Sequence, residues 1–217
     1  GELPDLEKAR AILRSDDYIM CADGGTRHAL ALGLKPNLVV GDMDSIDSDE
    51  WKKLEENNIP VELFPRDKNE TDLELALNKA IEMNPTEIVI IAALGGRMDQ
   101  TLANIALLGN TQSRPERSRR DATRSICLDD GVEEIFFCRD QIEIRGRSGD
   151  IVSLIPWGNP VHGVQTINLK WQLNDETLYP EKTRGISNEM TSDIASIKIE
   201  SGFLLIIHSR QSPVSDL

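Results

Sequence analysis

The chain has 217 residues, 39% of them hydrophobic and 28% charged, with 37 acidic side chains against 24 basic ones. That length accommodates one large domain or two modest ones, each with a core of its own. The longest apolar runs, such as Ile88 to Leu94 and Phe203 to Ile207, fall far short of the roughly 20 residues of a spanning helix. A net charge of −13 lacks the cation surplus of a nucleic-acid binder. Neither a membrane nor a nucleic acid is therefore expected as partner. The three cysteines, Cys21, Cys127 and Cys138, are odd in number and widely spaced, which argues against a disulfide framework or a zinc site. With no leader pattern at the start, they point to a reducing, cytoplasmic compartment.

In chain order, the first half alternates strands and helices. Tyr18 to Ala22 reads as a strand, Gly25 to Gly33 as a short helix and Leu38 to Val40 as a second strand. Asp49 to Asn57 is helical and Val61 to Phe64 extended. Leu73, Ala76, Leu77, Ala80 and Ile81 recur at the helical spacing. Ile88 to Leu94 is expected as a strand buried on both sides, and Leu102, Ile105, Ala106 and Leu108 mark one more helix. Alternation of this kind predicts a parallel-sheet α/β domain, Rossmann-like, over residues 1–112.

Residues 113–124 are expected to be a basic, flexible linker, since Arg114 to Arg124 holds five arginines and no apolar period. From 125 to 217 the pattern changes to short β-type runs: Ile135 to Phe137, Gln141 to Ile144, Ile151 to Ile155, Val164 to Leu169, Ile194 to Glu200 and Phe203 to His208. Gly, Asn, Asp and Pro separate them, and Ser201-Gly202 reads as a hairpin turn between the last two. The second half is thus expected to be an antiparallel β-sandwich or barrel.

Four polar segments follow the four strands of the first half: Asp23-Gly24-Gly25, Gly41 to Ser45, Asp67 to Asp72, and Gly95 to Asp99. In a parallel sheet they converge on one edge, where open α/β sheets bind ligands. Asp42 and Asp44 share a face if the chain stays extended, and two hard carboxylates suit Mg²⁺. Asp47, Asp49 and Glu50 read as helix-start residues. Thr71 and Glu74 form a capping box, with Asp72 aimed at the strand edge. Lys68 is a plausible phosphate contact and Arg97 a bidentate phosphate fork. Gly24-Gly25 and Gly95-Gly96 permit close backbone approach to an anion, while Asp99 could simply cap the last helix. Carboxylates for a metal beside cations for phosphates are the equipment of phosphoryl or pyrophosphoryl transfer. Two other readings compete. One is a phosphatase with Asp42 as nucleophile; the other is a nucleotide sensor without turnover.

The segments DGG (23–25), GDMDS (41–45), KNETDLE (68–74) and GGRMDQTLAN (95–104), followed by GISNE (185–189), resemble those of thiamine pyrophosphokinases over nearly the whole chain. The resemblance implies an N-terminal α/β domain that binds Mg-ATP and a C-terminal β-sandwich that binds thiamine and forms a homodimer. It implies transfer of a pyrophosphoryl group from ATP to the thiamine hydroxyl, with Mg²⁺ required. Carried over residue by residue, Asp23, Asp42, Asp44, Lys68, Asp72 and Arg97 are the catalytic set. Gly24, Gly25, Asp44, Ser45, Lys68, Thr71, Gly95, Gly96 and Arg97 are implied at ATP, and Asp42, Asp44 and Asp72 at the metal. Asp72, Asp99, Ser187 and Asn188 are implied at thiamine. The motifs assign no aromatic ring to thiamine; Trp157 and Trp171 are the candidates.

Overall fold

The structure, a computed structural model, describes residues 1–111 and 125–211. The segment 113–124, expected as a linker, lies outside the described residues. The chain divides into two compact units, Gly1–Ile126 and Cys127–Leu217.

The first unit runs α1 (Leu6–Ile12), β1 (Met20–Ala22), α2 (Gly25–Ala31), β2 (Leu38–Gly41), α3 (Ser48–Glu56), β3 (Val61–Leu63), α4 (Asp72–Glu82), β4 (Glu87–Ile90) and α5 (Met98–Thr111). Strands β1, β2 and β3 are parallel and adjacent in that order. Side chains alternate across them. Cys21 and Val39 face α2 and α3 with Ala29, Leu54 and Ile59, whereas Leu38 and Val40 meet Ala76 of α4 on the other face. Coverage of both faces explains why β2 is apolar without a break.

Helix starts follow local chemistry. Asp47 caps α3 in a reciprocal box with Glu50, and the Thr71 hydroxyl accepts from Glu74 N at the start of α4. Helix α1 has no counterpart among the expected elements. It is seven residues long with only Ala9 buried, so it has no apolar period to read.

One expectation fails here. β4 does not join the three-stranded parallel sheet; its hydrogen-bonded neighbour is β5 (Ser125–Asp129). It is only partly buried, and the positive φ of Ala92 soon turns the chain. An apolar run tells of burial, but the choice of neighbouring strand is non-local.

Beyond β5 come β6 (Glu133–Cys138), β7 (Gln141–Arg145), β8 (Ile151–Pro156), β9 (Val161–Ile167), β10 (Glu176–Leu178), β11 (Asn188–Glu189), β12 (Ile194–Lys198) and β13 (Leu204–Ser209). They form two antiparallel sheets, ordered β10-β9-β12-β7 and β11-β8-β13-β6-β5. The expected hairpin at Ser201-Gly202 is corrected by this order. β12 pairs with β7 and β9, while β13 pairs with β6 and β8, so the turn carries the chain from one sheet to the other. Gly202 is required there: its φ is +106, and a Cβ would lie 2.9 Å from the Pro160 carbonyl oxygen. A short turn signal shows that the chain reverses; it does not show which sheet receives it.

Candidate active site

The carboxyl ends of β1, β2 and β3 deliver the acidic segments to one place. Asp23 directly follows β1 with φ 41, its N–H donating to Val40 O at 2.8 Å. Asp42 follows Gly41 at the end of β2, and Asp72 is the first residue of α4. Each of these three side chains offers a carboxylate oxygen within 4.8 Å of the others. Gly41 makes room for them: a Cβ on it would stand 2.9 Å from Asp23 Cβ and 3.0 Å from Asp72 Oδ1.

Lys68 stands among them, its ammonium 3.1 Å from Asp42 Oδ2 and 3.0 Å from Asp72 Oδ1. Desolvation pulls this ammonium down, but its contacts with Asp72 and Asp42 outweigh that and hold it above its ordinary value. The Asp44 N–H and then Lys68 hold the Asp42 carboxyl below the usual carboxylate range. One lysine does not neutralise three carboxylates. Asp23 is 7% exposed and its Oδ1 is buried with no hydrogen-bond partner, while Asp72 Oδ1, also shielded from solvent, meets the Lys68 ammonium. A buried hard oxygen left open beside two further carboxylates makes a donor set for a divalent cation with a preference for oxygen. Magnesium therefore fits the residues present.

The expected pairing of Asp42 with Asp44 does not occur. Met43 has φ 62, so the chain turns rather than staying extended. Asp44 N–H donates back to Asp42 Oδ1 at 3.1 Å, and the Asp44 carboxylate meets Arg66 at 3.1 Å and the Ser45 hydroxyl. Asp44 is thus outside the trio and Asp23 is inside it. The positive φ forced by the turn is a signal that only Gly41, two residues earlier, hints at in the sequence.

Gly24 and Gly25 open α2 directly after Asp23. Gly95 and Gly96, both at positive φ, precede α5. Arg97 is 73% exposed and forks onto Asp99, Nε to Oδ1 at 3.1 Å and Nη2 to Oδ2 at 2.5 Å. Arg97 holds the Asp99 carboxyl below its ordinary range. Asp99 is thus tied to Arg97, and its Oδ1 also accepts from Gln100 N.

In the second unit, Ser187 lies at φ 56 and its N–H donates to Ser153 Oγ at 3.0 Å. Asn188 is 3% exposed. Its amide is committed to backbone: Nδ2 donates to Trp171 O at 2.7 Å, and Oδ1 accepts from Trp171 N at 3.0 Å and Glu189 N at 2.9 Å. Asn188 therefore holds Trp171 in place instead of presenting its amide outward. The Trp171 ring is 51% exposed, with the Lys170 ammonium 5.0 Å from its centre. Trp157, by contrast, packs edge-on against Phe137. Only the exposed ring is free to stack on another molecule, a distinction that composition and spacing do not carry.

Residues 9–119 match the family model "Thiamin pyrophosphokinase, catalytic domain", and residues 140–204 match "Thiamin pyrophosphokinase, vitamin B1 binding domain". Thiamine pyrophosphokinase of Bacillus subtilis is 29% identical over 188 residues, covering 86% of this chain and 85% of that protein. The crystal structure of the Bacillus subtilis enzyme superposes with a TM-score of 0.81 at 27% identity, covering 94% of this chain and 93% of that one. Thiamin pyrophosphokinase from Geobacillus thermodenitrificans gives a TM-score of 0.79 at 25% identity over 95% of this chain and 92% of that one.

Proposed function

The chain belongs to the thiamin pyrophosphokinase family, and on that premise we propose how its own side chains divide the work of ATP-dependent pyrophosphoryl transfer to thiamine. In that reaction the thiamine hydroxyl oxygen bonds to the β-phosphorus of ATP. The bond from that phosphorus to the α–β bridging oxygen breaks, AMP departs with its electron pair, and the hydroxyl proton is released. The products are thiamine diphosphate and AMP.

Asp23, Asp42 and Asp72 are the residues that would hold Mg²⁺, and the ion supplies neutralising charge to the triphosphate. The observation that carries this is the convergence of three carboxylates around a buried, unpartnered Asp23 Oδ1. Lys68, in contact with Asp42 and Asp72 of the trio, also contacts the transferring phosphates. Arg97 adds a fork at the Gly95-Gly96 turn, and its exposure leaves it able to exchange Asp99 for a phosphate. Gly24, Gly25 and Ser45 line the ATP side, and Thr71 contributes by fixing the first turn of α4. Asp44 acts with Arg66 near the nucleotide rather than in the metal set.

For thiamine, the exposed Trp171 ring is the stacking surface, since an aromatic face attracts both a heteroaromatic ring and a thiazolium cation. Asn188 serves this end by holding Trp171, and Ser187 stands beside it at an exposed turn. Exposed Ile167, Trp171, Tyr179 and Ile186 support a homodimer joined through the second unit. The residue ranges 1–112 and 125–217 remain our division between the catalytic and thiamine-binding parts. The buried thiols of Cys21 and Cys138 fit a cytoplasmic setting. The phosphatase alternative is disfavoured because both oxygens of Asp42 are engaged, one by Asp44 N–H and one by Lys68.

The deciding experiment is the nucleotide product. AMP formed only with Mg²⁺, ATP and thiamine together is expected. ADP, or phosphate release without ATP, would overturn the reading.

A further inference from the structure

The second unit buries a charge network that the transfer reaction does not use. His208 on β13 is 0% exposed. Its Nε2 is 3.0 Å from Asp150 Oδ2 and its Nδ1 is 3.4 Å from Glu134 Oε2 on β6. Arg210, further along the chain, binds Glu134 at 3.2 Å and forks onto Asp129 at 2.7 and 2.8 Å. Asp150 also accepts from Arg147 N and Gln211 N. Burial alone would raise the Asp150 carboxyl, but these N–H groups and His208 bring it below its ordinary value. The loop closes this tightly because residue 146 is glycine: a Cβ there would sit 2.6 Å from Asp150 Oδ2 and 2.7 Å from His208 Nε2.

Asp150 is in turn the anchor of the segment that carries Asn188. Met190 N–H donates to Asp150 O at 2.8 Å, and Gly149 N–H donates to Met190 O at 2.8 Å. Just beyond, β11 pairs with β8, Asn188 opposite Val152 and Glu189 opposite Ile151. The other side of the same segment holds residues 168–171. Lys170 N–H donates to Glu189 O at 2.8 Å and Thr191 N–H to Asn168 O at 2.9 Å, and Asn188 clasps the Trp171 backbone. A continuous set of hydrogen bonds thus runs from His208 through Asp150 and residues 188–190 to the one exposed tryptophan ring that is a stacking candidate.

We propose that His208 is a positioning residue for thiamine: through Asp150 and the 188–191 segment it fixes Trp171 in the orientation that receives the substrate. This rests on the reading of Trp171 as the thiamine platform. Buried polar networks of this kind give specificity of geometry more surely than net stability, which suits a group remote from the reacting atoms.

The test measures thiamine binding by calorimetry on the full chain, with a non-hydrolysable ATP analogue and Mg²⁺, for His208→Leu, His208→Gln and Trp171→Ala. His208→Leu is expected to raise the thiamine Kd about tenfold, the cost of one charge-assisted hydrogen bond, with the analogue's Kd unchanged. His208→Gln, whose amide can still donate to Asp150, should recover most of the loss. Should His208→Leu fail to fold, Asp150→Asn weakens the same contact without a size change and carries the same expectation. A thiamine Kd unchanged in the His208 and Asp150 variants, with Trp171→Ala weakened, would overturn the relay while sparing the platform. An unchanged Kd in Trp171→Ala would overturn the platform and the relay with it.

Discussion

Replacing Asp23 with Asn makes a prediction in which stability and activity move in opposite directions. Asp23 is buried, with Oδ1 unpartnered, and its carboxylate lies within 4.8 Å of those of Asp42 and Asp72. At an effective dielectric constant of about 20, two unit negative charges at that separation repel by about 3.5 kcal/mol. That figure applies to Asp23 against Asp72; Asp42 adds repulsion of the same sign, and Lys68 offsets part of both. Asn preserves the shape and is at ease at the positive φ of position 23. In metal-free buffer Asp23→Asn is therefore expected to be more stable than wild type by about 1–3 kcal/mol. For a chain of this size each kcal/mol is about 2–4 °C in Tm. Magnesium at a hundred times its Kd adds about 2.7 kcal/mol to a protein that binds it. Wild type should gain that increment and the variant little of it, so the difference narrows or reverses while AMP formation is lost. Calorimetric melting in chelator and across a Mg²⁺ titration, with AMP release measured in parallel, checks all three outcomes. A variant that melts below wild type in chelator, or that shows the full magnesium shift, would refute the electrostatic account of the trio.

Gly41→Ala should abolish turnover and the magnesium-dependent rise in Tm, because the new methyl group enters the space shared by Asp23 and Asp72; a magnesium titration of Tm reads this. Arg97→Ala should lower kcat by about 10²–10³ with a smaller rise in KM for ATP, and leave the melting temperature unchanged because the Arg97–Asp99 pair is exposed. Steady-state kinetics check it, and a wild-type kcat would remove Arg97 from the reaction. The Asp150 carboxyl, held below its ordinary value, contributes stability in full above about pH 4 and loses it as the pH falls through its depressed value. Melting curves between neutral and acid pH should therefore fall more steeply for wild type than for Asp150→Asn.

Much of this protein is local and so was legible in the sequence. Strand–helix alternation up to α5, the change to β-type runs, and the capping of α3 by Asp47 and of α4 by Thr71 depend on residues within a turn or two of each other. The acidic segments could be placed at strand ends for the same reason, and a parallel sheet brings such ends to one edge wherever it forms. What tertiary structure decided is which of those groups share a volume. Met43 turns the chain so that Asp44 leaves for Arg66, while Asp23, Asp42 and Asp72 close around Lys68. Ser201-Gly202 joins two sheets because β13 finds β6 and β8 rather than β12. Asn188 spends its amide on Trp171, seventeen residues earlier in the chain. Period and propensity act over a few residues, whereas pairing, charge balance and burial are settled between segments far apart in sequence, and there the fold chooses among partners that the local pattern leaves equivalent.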